Sequence, residues 1–375
     1  MSKQLLLDVM WNHFHNAFYS FSEGKQLLLS TMMMPVKSER RTVSLIGGGA
    51  WTLKQGGTNF RDMAETLINE PNALSKIVVE IAQQLGEGNV YIGAGYNNVL
   101  PAVVRGVKLI YVGEFSPYLP DSDYEQTDKF IKECDRINLK RIWEDPVLCA
   151  FPVIAAQVRK FLKETHVIAP LTWGPFTLAG QIIGVENFVR KMVKDPAAAK
   201  AVIELAINAV WEYYRPFVEG GLVDIIYLPE PTASGDMISP RMLEKFAVPA
   251  MDKCLELYHK QGIPTLVHIC GNLSKEHLRL LNEMVNMDVL SVDSKVSMAL
   301  ARSVLTRKCI MGNVDVLRLE RSDVNEVVDI LKQLMSIMEG HERFVVAPSC
   351  DLPPNTPFAN VKAMFEFVRN YRLNN

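Results

Sequence analysis

Eight short runs rich in β-branched residues recur along this chain, most of them separated by long stretches of helical periodicity. No other feature constrains the fold as much. The runs are TVSLIG around Val43, NVYIG around Val90, HVIAPLT around Val167, VDIIYL around Ile225, PTLVHI around Leu266, MDVLSV around Leu290, KCIMGN around Ile310 and RFVVAP around Val345. Between them, segments such as AAKAVIELAINAVWEYYRPFVEGG and SDVNEVVDILKQLMSIMEGH carry apolar residues at i, i+3, i+4 and i+7. Ser239 before Pro240 predicts a capped helix start. Ser322 is expected to open the next-to-last helix, and Gly340 to end it before the eighth strand. Strands alternating with helices in this way predict an α/β fold, a (β/α)8 TIM barrel. A doubly wound open sheet would favour a glycine fingerprint after the first strand; LIGGGAWT does not fit it, and GAGYNN fails at the final glycine.

The barrel is expected to occupy residues 41–375 as the catalytic domain, with residues 1–40 as an N-terminal helical extension. Within that extension, WNHFHNAF places His13 and His15 two apart, which on a helix face different ways. An amphipathic helix covering the lower end of the barrel is the better expectation than a metal pair. The segment from Gly113 to Glu164 exceeds what one crossover requires and is predicted to lie over or beside the barrel mouth.

A formal net charge of −2 and the lack of a long Lys/Arg run argue against a nucleic-acid partner. Asp8 interrupts the N-terminal apolar run after three leucines, which leaves no signal-peptide core, and no segment approaches the roughly 20 apolar residues of a membrane helix. A soluble, cytoplasmic protein is expected. In a reducing compartment the six cysteines are buried, metal-bound or catalytic rather than paired. Cys134, Cys149, Cys254 and Cys309 lie in apolar settings that predict burial, whereas Cys270 and Cys350 each fall where a strand gives way to a loop.

Barrel active sites sit at the C-terminal strand ends. Here those ends read GGGAW, GAGYNN, TWGPFT, PEPTAS, HICGN, VDS, GNVD and PSCDLPPNTP, rich in glycine, proline and single polar groups. His268 and Cys270 share one strand face because side chains alternate, and Cys350 ends the eighth run. The three could be a buried histidine and two inert thiols. Equally, they could be a catalytic zinc set, with three protein ligands and one open position. Zn²⁺ with two thiolates is formally neutral, a setting better suited to keeping a bound sulfur nucleophilic than to hydrolysis. The candidate catalytic carboxylates are Glu230, which either orients a substrate or approaches the metal or is an exposed loop group, and Asp293, which either orients His268 or caps the next helix. Asn313 and Asp315 either line the mouth or satisfy loop amides, and Trp51 and Tyr96 form either a ligand wall or packing.

GPFTLAG from Gly174, EPTASGDMISPRMLEKFAVP from Glu230, HICGN, VDSKVSMALAR, MGNVD and SCDLPPNTPFANVKAM follow one another in order. Together they resemble the uroporphyrinogen decarboxylase superfamily, and within it the zinc-dependent corrinoid methyltransferase branch, over about Trp173 to Tyr371. The resemblance implies a (β/α)8 barrel and a zinc ion on His268, Cys270 and Cys350. It also implies methyl transfer between a corrinoid such as methylcobalamin, carried by a partner corrinoid protein, and a small thiol. A methoxylated or methylated donor acting on the corrinoid is the alternative. The chain departs from the decarboxylase pattern at the first strand end, where arginines for substrate carboxylates are expected: LIGGGAWTLKQGG has none before Arg61. The region of GAGYNN lacks the decarboxylase aspartate, and Val316 replaces the proline usual after GNVD. The missing arginines and aspartate argue against a decarboxylase-type lyase, while the Val316 change is expected to alter only a loop. A non-catalytic corrinoid-binding or zinc-storage protein is the other rival; a closed structural zinc site would need a fourth fixed protein ligand, and no further cysteine stands at a strand end.

Overall fold

The computed structural model describes residues 17–373. Its strands fall on the eight apolar runs: β1 Thr42–Val43, β2 Gly88–Ile92, β3 His166–Pro170, β4 Ile226–Pro229, β5 Thr265–Ile269, β6 Val289–Val292, β7 Cys309–Val314 and β8 Phe344–Pro348. β4 to β8 and then β1 are parallel hydrogen-bonded neighbours in that order, and β2 pairs with β3. A parallel bridge between Leu171 and Tyr227 joins β3 to β4. The last seam, between β1 and β2, is held by a side chain: Asn89 Oδ1 accepts from Ser44 Oγ at 2.6 Å and from the Leu45 amide at 2.7 Å. The fold is a (β/α)8 barrel. β1 is shorter than its apolar run because, past Ser44, the backbone donates to Asn89 instead of to a neighbouring strand.

The principal helices are α1 Glu23–Met33, α2 Ala73–Leu85, α3 Pro146–Leu162, α4 Pro175–Ile183, α5 Pro196–Glu219, α6 Val248–His259, α7 Lys275–Glu283, α8 Met298–Val304, α9 Val324–Ile337 and α10 Phe358–Asn370. From α2 onward they follow the strands and cover them from outside, so strand residues are buried on both faces and the runs read as continuously apolar. Ser239 caps the short helix beginning at Pro240, as its sequence predicts. The start of α9 is one residue later than expected. Asp323, not Ser322, is its cap, because Glu326 reaches back to the Asp323 amide and completes a reciprocal capping box. The segment after β2 packs beside the barrel against the helices that follow β3, with Asn187 Nδ2 donating to Ser122 O at 3.0 Å and Thr127 Oγ1 to Ile183 O at 3.2 Å. Cys134, Cys254 and Cys309 are buried, but Cys149 is exposed. It lies on the outer side of α3, whose inner face carries Leu148, Phe151, Ile154 and Ala155.

His13 and His15, with most of the WNHFHNAF stretch, lie outside the described residues. The helix after it, α1, crosses the N-terminal end of the barrel. Lys25 is fully buried; its Nζ sits 2.8 Å from Asp224 Oδ2 just before β4, and 2.6 Å from the Lys163 carbonyl before β3. Arg159 contacts the other Asp224 oxygen at 3.2 Å. Among the described residues no helix is long and apolar enough to cross a membrane.

Candidate metal centre

Paired residues in parallel strands share a face. His268 pairs with Ser291, Ser291 with Met311 and Met311 with Val345, so these four form one row. Two residues further along, Cys270 and Asp293 follow on the same face. Cys350 comes from the turn after β8. Its Sγ lies 3.1 Å from that of Cys270, and the ligand atoms of His268, Cys270 and Cys350 all fall within 4.8 Å of one another. His268 is buried and the two thiols are half-buried, so the cluster is reachable from the mouth while its base is dry.

The imidazole is held from behind. Ser291, fully buried, places its Oγ 3.0 Å from His268 Nδ1. The other nitrogen, Nε2, is buried without a hydrogen-bond partner. An orphaned polar atom of this kind costs about 1–3 kcal/mol, and a metal ion held with the two thiolates would remove that cost. The residues fit a tetrahedral Zn²⁺-type ion: soft sulfur donors, one imidazole nitrogen presented by its partner, and a free fourth position. The two thiols titrate as a pair. The hydrogen bond from Cys270 draws Cys350 down, with His268 helping, against the opposing effect of burial. The same hydrogen bond, burial and Asp293 push Cys270 up. One sulfur is therefore readily anionic, and the second gives up its proton when a cation binds.

Asp293 lies beside the cluster but not where its sequence position suggests. Its Oδ2 is 3.3 Å from Cys270 Sγ, and Oδ1 accepts from the Lys295 amide at 2.9 Å. His268 is partnered by Ser291 instead, and α8 is capped by Ser297, so neither expected role of Asp293 is the observed one. Glu230 is fully buried rather than an exposed loop group. Its oxygens accept from the Phe176 amide at 3.0 Å and the Thr177 amide at 2.6 Å, at the start of α4. Its own amide donates to the His268 carbonyl at 2.7 Å. Gly174 is required here, since a Cβ would collide with this carboxylate. Burial pushes Glu230 up to about 7, against the lowering effect of the Thr177 and Phe176 hydrogen bonds.

The remaining sequence candidates take their structural roles. Asn313 Nδ2 donates to the carbonyls of Asp293 (2.9 Å) and Val296 (2.8 Å), and Asp315 caps the helix that follows it. Trp51 is buried, donates to Thr356 O at 2.8 Å and stacks on Phe358; Tyr96 donates to Phe60 O at 2.9 Å. Three residues at the mouth were not singled out from the sequence. Ser291 is one; pairing β5 with β6 in register would have found it. Tyr227 on β4 is the second, its ring 4.8 Å from that of Tyr91. Asp351, next to Cys350, is the third: it is exposed to solvent, and its Oδ1 accepts from the Gly48 amide after β1.

The pattern of the uroporphyrinogen decarboxylase (URO-D) family matches residues 98–371. The chain belongs to the uroporphyrinogen decarboxylase family. Among relatives, it is 28% identical over 214 residues to a methylcobamide:CoM methyltransferase MtbA of Methanosarcina acetivorans, covering 57% of this chain and 60% of that one. It is 32% identical over 208 residues to a methylated-thiol–coenzyme M methyltransferase of Methanosarcina mazei, covering 55% and 54%. The matched part thus spans less than two thirds of either relative. In fold, the family barrel seen here superposes on a methyltransferase from Methanosarcina mazei with a TM-score of 0.76 at 21% identity, over 92% of this chain and 98% of that one.

Proposed function

We propose that this family member is a zinc-dependent methyltransferase that moves a methyl group between a corrinoid, carried on a partner corrinoid protein, and a small thiol. The observation that carries the reading is the convergence of His268, Cys270 and Cys350 around a buried, unpartnered imidazole nitrogen at the mouth of the barrel. The methyltransferase names of its relatives support the same chemistry. Zinc bound there supplies Lewis acidity that makes a thiol acidic without quenching its nucleophilicity, since the two thiolates already neutralise the metal charge. The rest belongs to the chain. Ser291 holds the imidazole with Nε2 toward the thiols, and Asp293, 3.3 Å from Cys270 Sγ, stands beside that sulfur. Glu230 ties the start of α4 to the end of β5, fixing the strand end from which His268 projects. We infer that Asp293 and Glu230 act in this way, as positioning groups around the ligands.

The substrate sulfur, once deprotonated, attacks the corrinoid methyl carbon in line; the cobalt–carbon bond breaks with both electrons left on cobalt as Co(I). Run backwards, the same site demethylates a methylated donor, and the name of the Methanosarcina mazei relative favours a methylated thiol among such donors. The test is spectroscopic. Purified protein with about one zinc per chain should consume methylcobalamin in the presence of thiols, or form it from cob(I)alamin and methylated donors. Zinc-loaded protein that transfers methyl in neither direction, with a cognate corrinoid protein supplied, would leave a binding protein.

A further inference from the structure

The GGG turn after β1 and the aspartate after Cys350 hold no metal ligand, yet they are built around each other. Gly47 and Gly48 have φ of +58° and +86°, in the left-handed region. The Gly48 amide donates to Asp351 Oδ1, and a Cβ on Gly47 would collide with the same carboxylate. The second oxygen, Oδ2, has no hydrogen bond or ion pair among the described residues. Gly48 follows β1 and Asp351 follows β8, so this contact lies at the C-terminal strand ends, where the mouth of the barrel opens.

Nothing cationic answers it. Among the described residues Asp351 makes no ion pair, and its one hydrogen bond is the Gly48 amide. The rim lysines are already held: Lys54 by Glu114 at 2.9 Å and Asn355 at 2.6 Å, and Lys295 by Asp236 at 2.8 Å. With Asp293 on the far side of Cys270, the floor of the mouth carries two carboxylates around a metal set that is formally neutral when filled. An anionic substrate would be repelled there. A cationic one would be attracted.

We propose that Asp351 selects a small thiol bearing a positively charged group, an aminothiol, as the methyl-exchanging substrate of this site. This inference rests on the methyl-transfer reading. In the step itself the S–H proton leaves to solvent, and the sulfur pair forms the carbon–sulfur bond. The cobalt–carbon pair stays on cobalt, giving a thioether and Co(I). The ammonium group keeps its proton throughout and is held by Asp351 Oδ2.

The experiment compares 2-aminoethanethiol, 2-mercaptoethanol and mercaptoacetate on the zinc-loaded full chain and on Asp351→Asn. Asparagine keeps an acceptor for the Gly48 amide and removes only the charge. Two quantities are read: kcat/KM for loss of methylcobalamin, and the Kd of each thiol by calorimetry without corrinoid. Because the three thiols differ in intrinsic acidity, the decisive number is how the cation-to-anion preference changes between the two proteins. The expected result is a fall of about tenfold or more in that preference in Asp351→Asn, in both readouts. A merely structural role would weaken all three thiols equally. An unchanged preference overturns the inference. Should wild-type protein transfer no methyl group at all, the methyl-transfer reading fails, and the Kd values alone decide whether Asp351 selects charge.

Discussion

His268 Nδ1 and Ser291 Oγ lie 3.0 Å apart, and the two residues are register partners on β5 and β6. Beside an imidazole that is proposed to ligate a metal, a serine is an unusual partner, since a carboxylate is common there. It can donate to Nδ1 or accept from it, so it tolerates either tautomer and adds no charge to a set that already contains two thiols. With metal bound, Nδ1–H donates to the serine and Nε2 is free as a ligand. Ser291→Ala should lower zinc affinity about 10–100-fold, and Ser291→Thr should restore most of it. Competition with a chromophoric chelator measures this directly; equal affinity in all three proteins would remove Ser291 from the site.

The row that contains Ser291 also marks where sequence reading stops. The eight apolar runs were legible because a strand buried on both faces has no reason to alternate, and the helices between them carry a different period. His268 and Cys270 were legible as a pair because side chains alternate along one strand. Ser291 was not, because its value comes from the register between two strands, which single-strand patterns do not encode. The same holds for Asp293, which reaches Cys270 rather than His268 because the register sets it opposite Cys270, two residues beyond the His268–Ser291 pair. The α9 cap was misplaced by one residue because Ser322 and Asp323 are both good caps, and only the Glu326 return bond chooses between them. Cys149 looked apolar in sequence, but the phase of α3 turns it outward.

Glu230 gives a pH signature of its own. Its carboxyl is raised from 4.5 to about 7, chiefly by burial, so between these values the folded chain binds a proton that the unfolded chain has released. Stability from this group is therefore full below about pH 4.5 and is lost as pH rises through 7; the loss is on the order of 3 kcal/mol. Denaturant unfolding at pH 5 and pH 8 should show wild type losing more stability with rising pH than Glu230→Gln does. Identical pH slopes in the two proteins would mean that the carboxyl titrates normally.

At the opposite end of the barrel, Lys25 anchors α1 through Asp224 with both side chains buried. Burial lowers the lysine pKa and Asp224 raises it again, so the ion pair is held against desolvation. Removing one partner leaves the other charged and dry. Lys25→Ala should cost about 3–5 kcal/mol, whereas Lys25→Met with Asp224→Asn, which removes both charges, should cost less than the single change. Metal content should be unaltered in the double variant, because α1 touches the strand starts and not the mouth.

Family membership alone would suggest porphyrinogen decarboxylation, and the mouth argues against it. The turn that follows β1 carries no arginine; Gly47 and Gly48 instead make room for Asp351 and bind it. A substrate bearing eight carboxylates would meet an anionic floor. Purified enzyme given uroporphyrinogen under anaerobic conditions should form no coproporphyrinogen. Turnover at about 1 s⁻¹ or more, within the ordinary range for enzymes, would overturn the methyltransferase reading.

The direction of zinc chemistry is open to a direct structural test. If a thiol is the substrate, its sulfur takes the fourth position beside His268, Cys270 and Cys350. X-ray absorption at the zinc edge should then gain one sulfur scatterer at about 2.3 Å when the thiol is added. Cys270→Ala and Cys350→Ala should each lose the metal, since one remaining thiolate and the imidazole leave the ion underligated. His268→Ala should weaken it, while Asp293→Asn should keep zinc and change only the sulfur next to it. If a methoxylated or amine donor is the substrate instead, the added scatterer is oxygen or nitrogen at about 2.0–2.2 Å, and methylcobalamin accumulates from cob(I)alamin rather than being consumed. The two readouts must agree: a new sulfur with methylcobalamin loss, or a lighter atom with methylcobalamin gain. No added scatterer with any member of either panel would separate the metal from the chemistry and make it a structural ion.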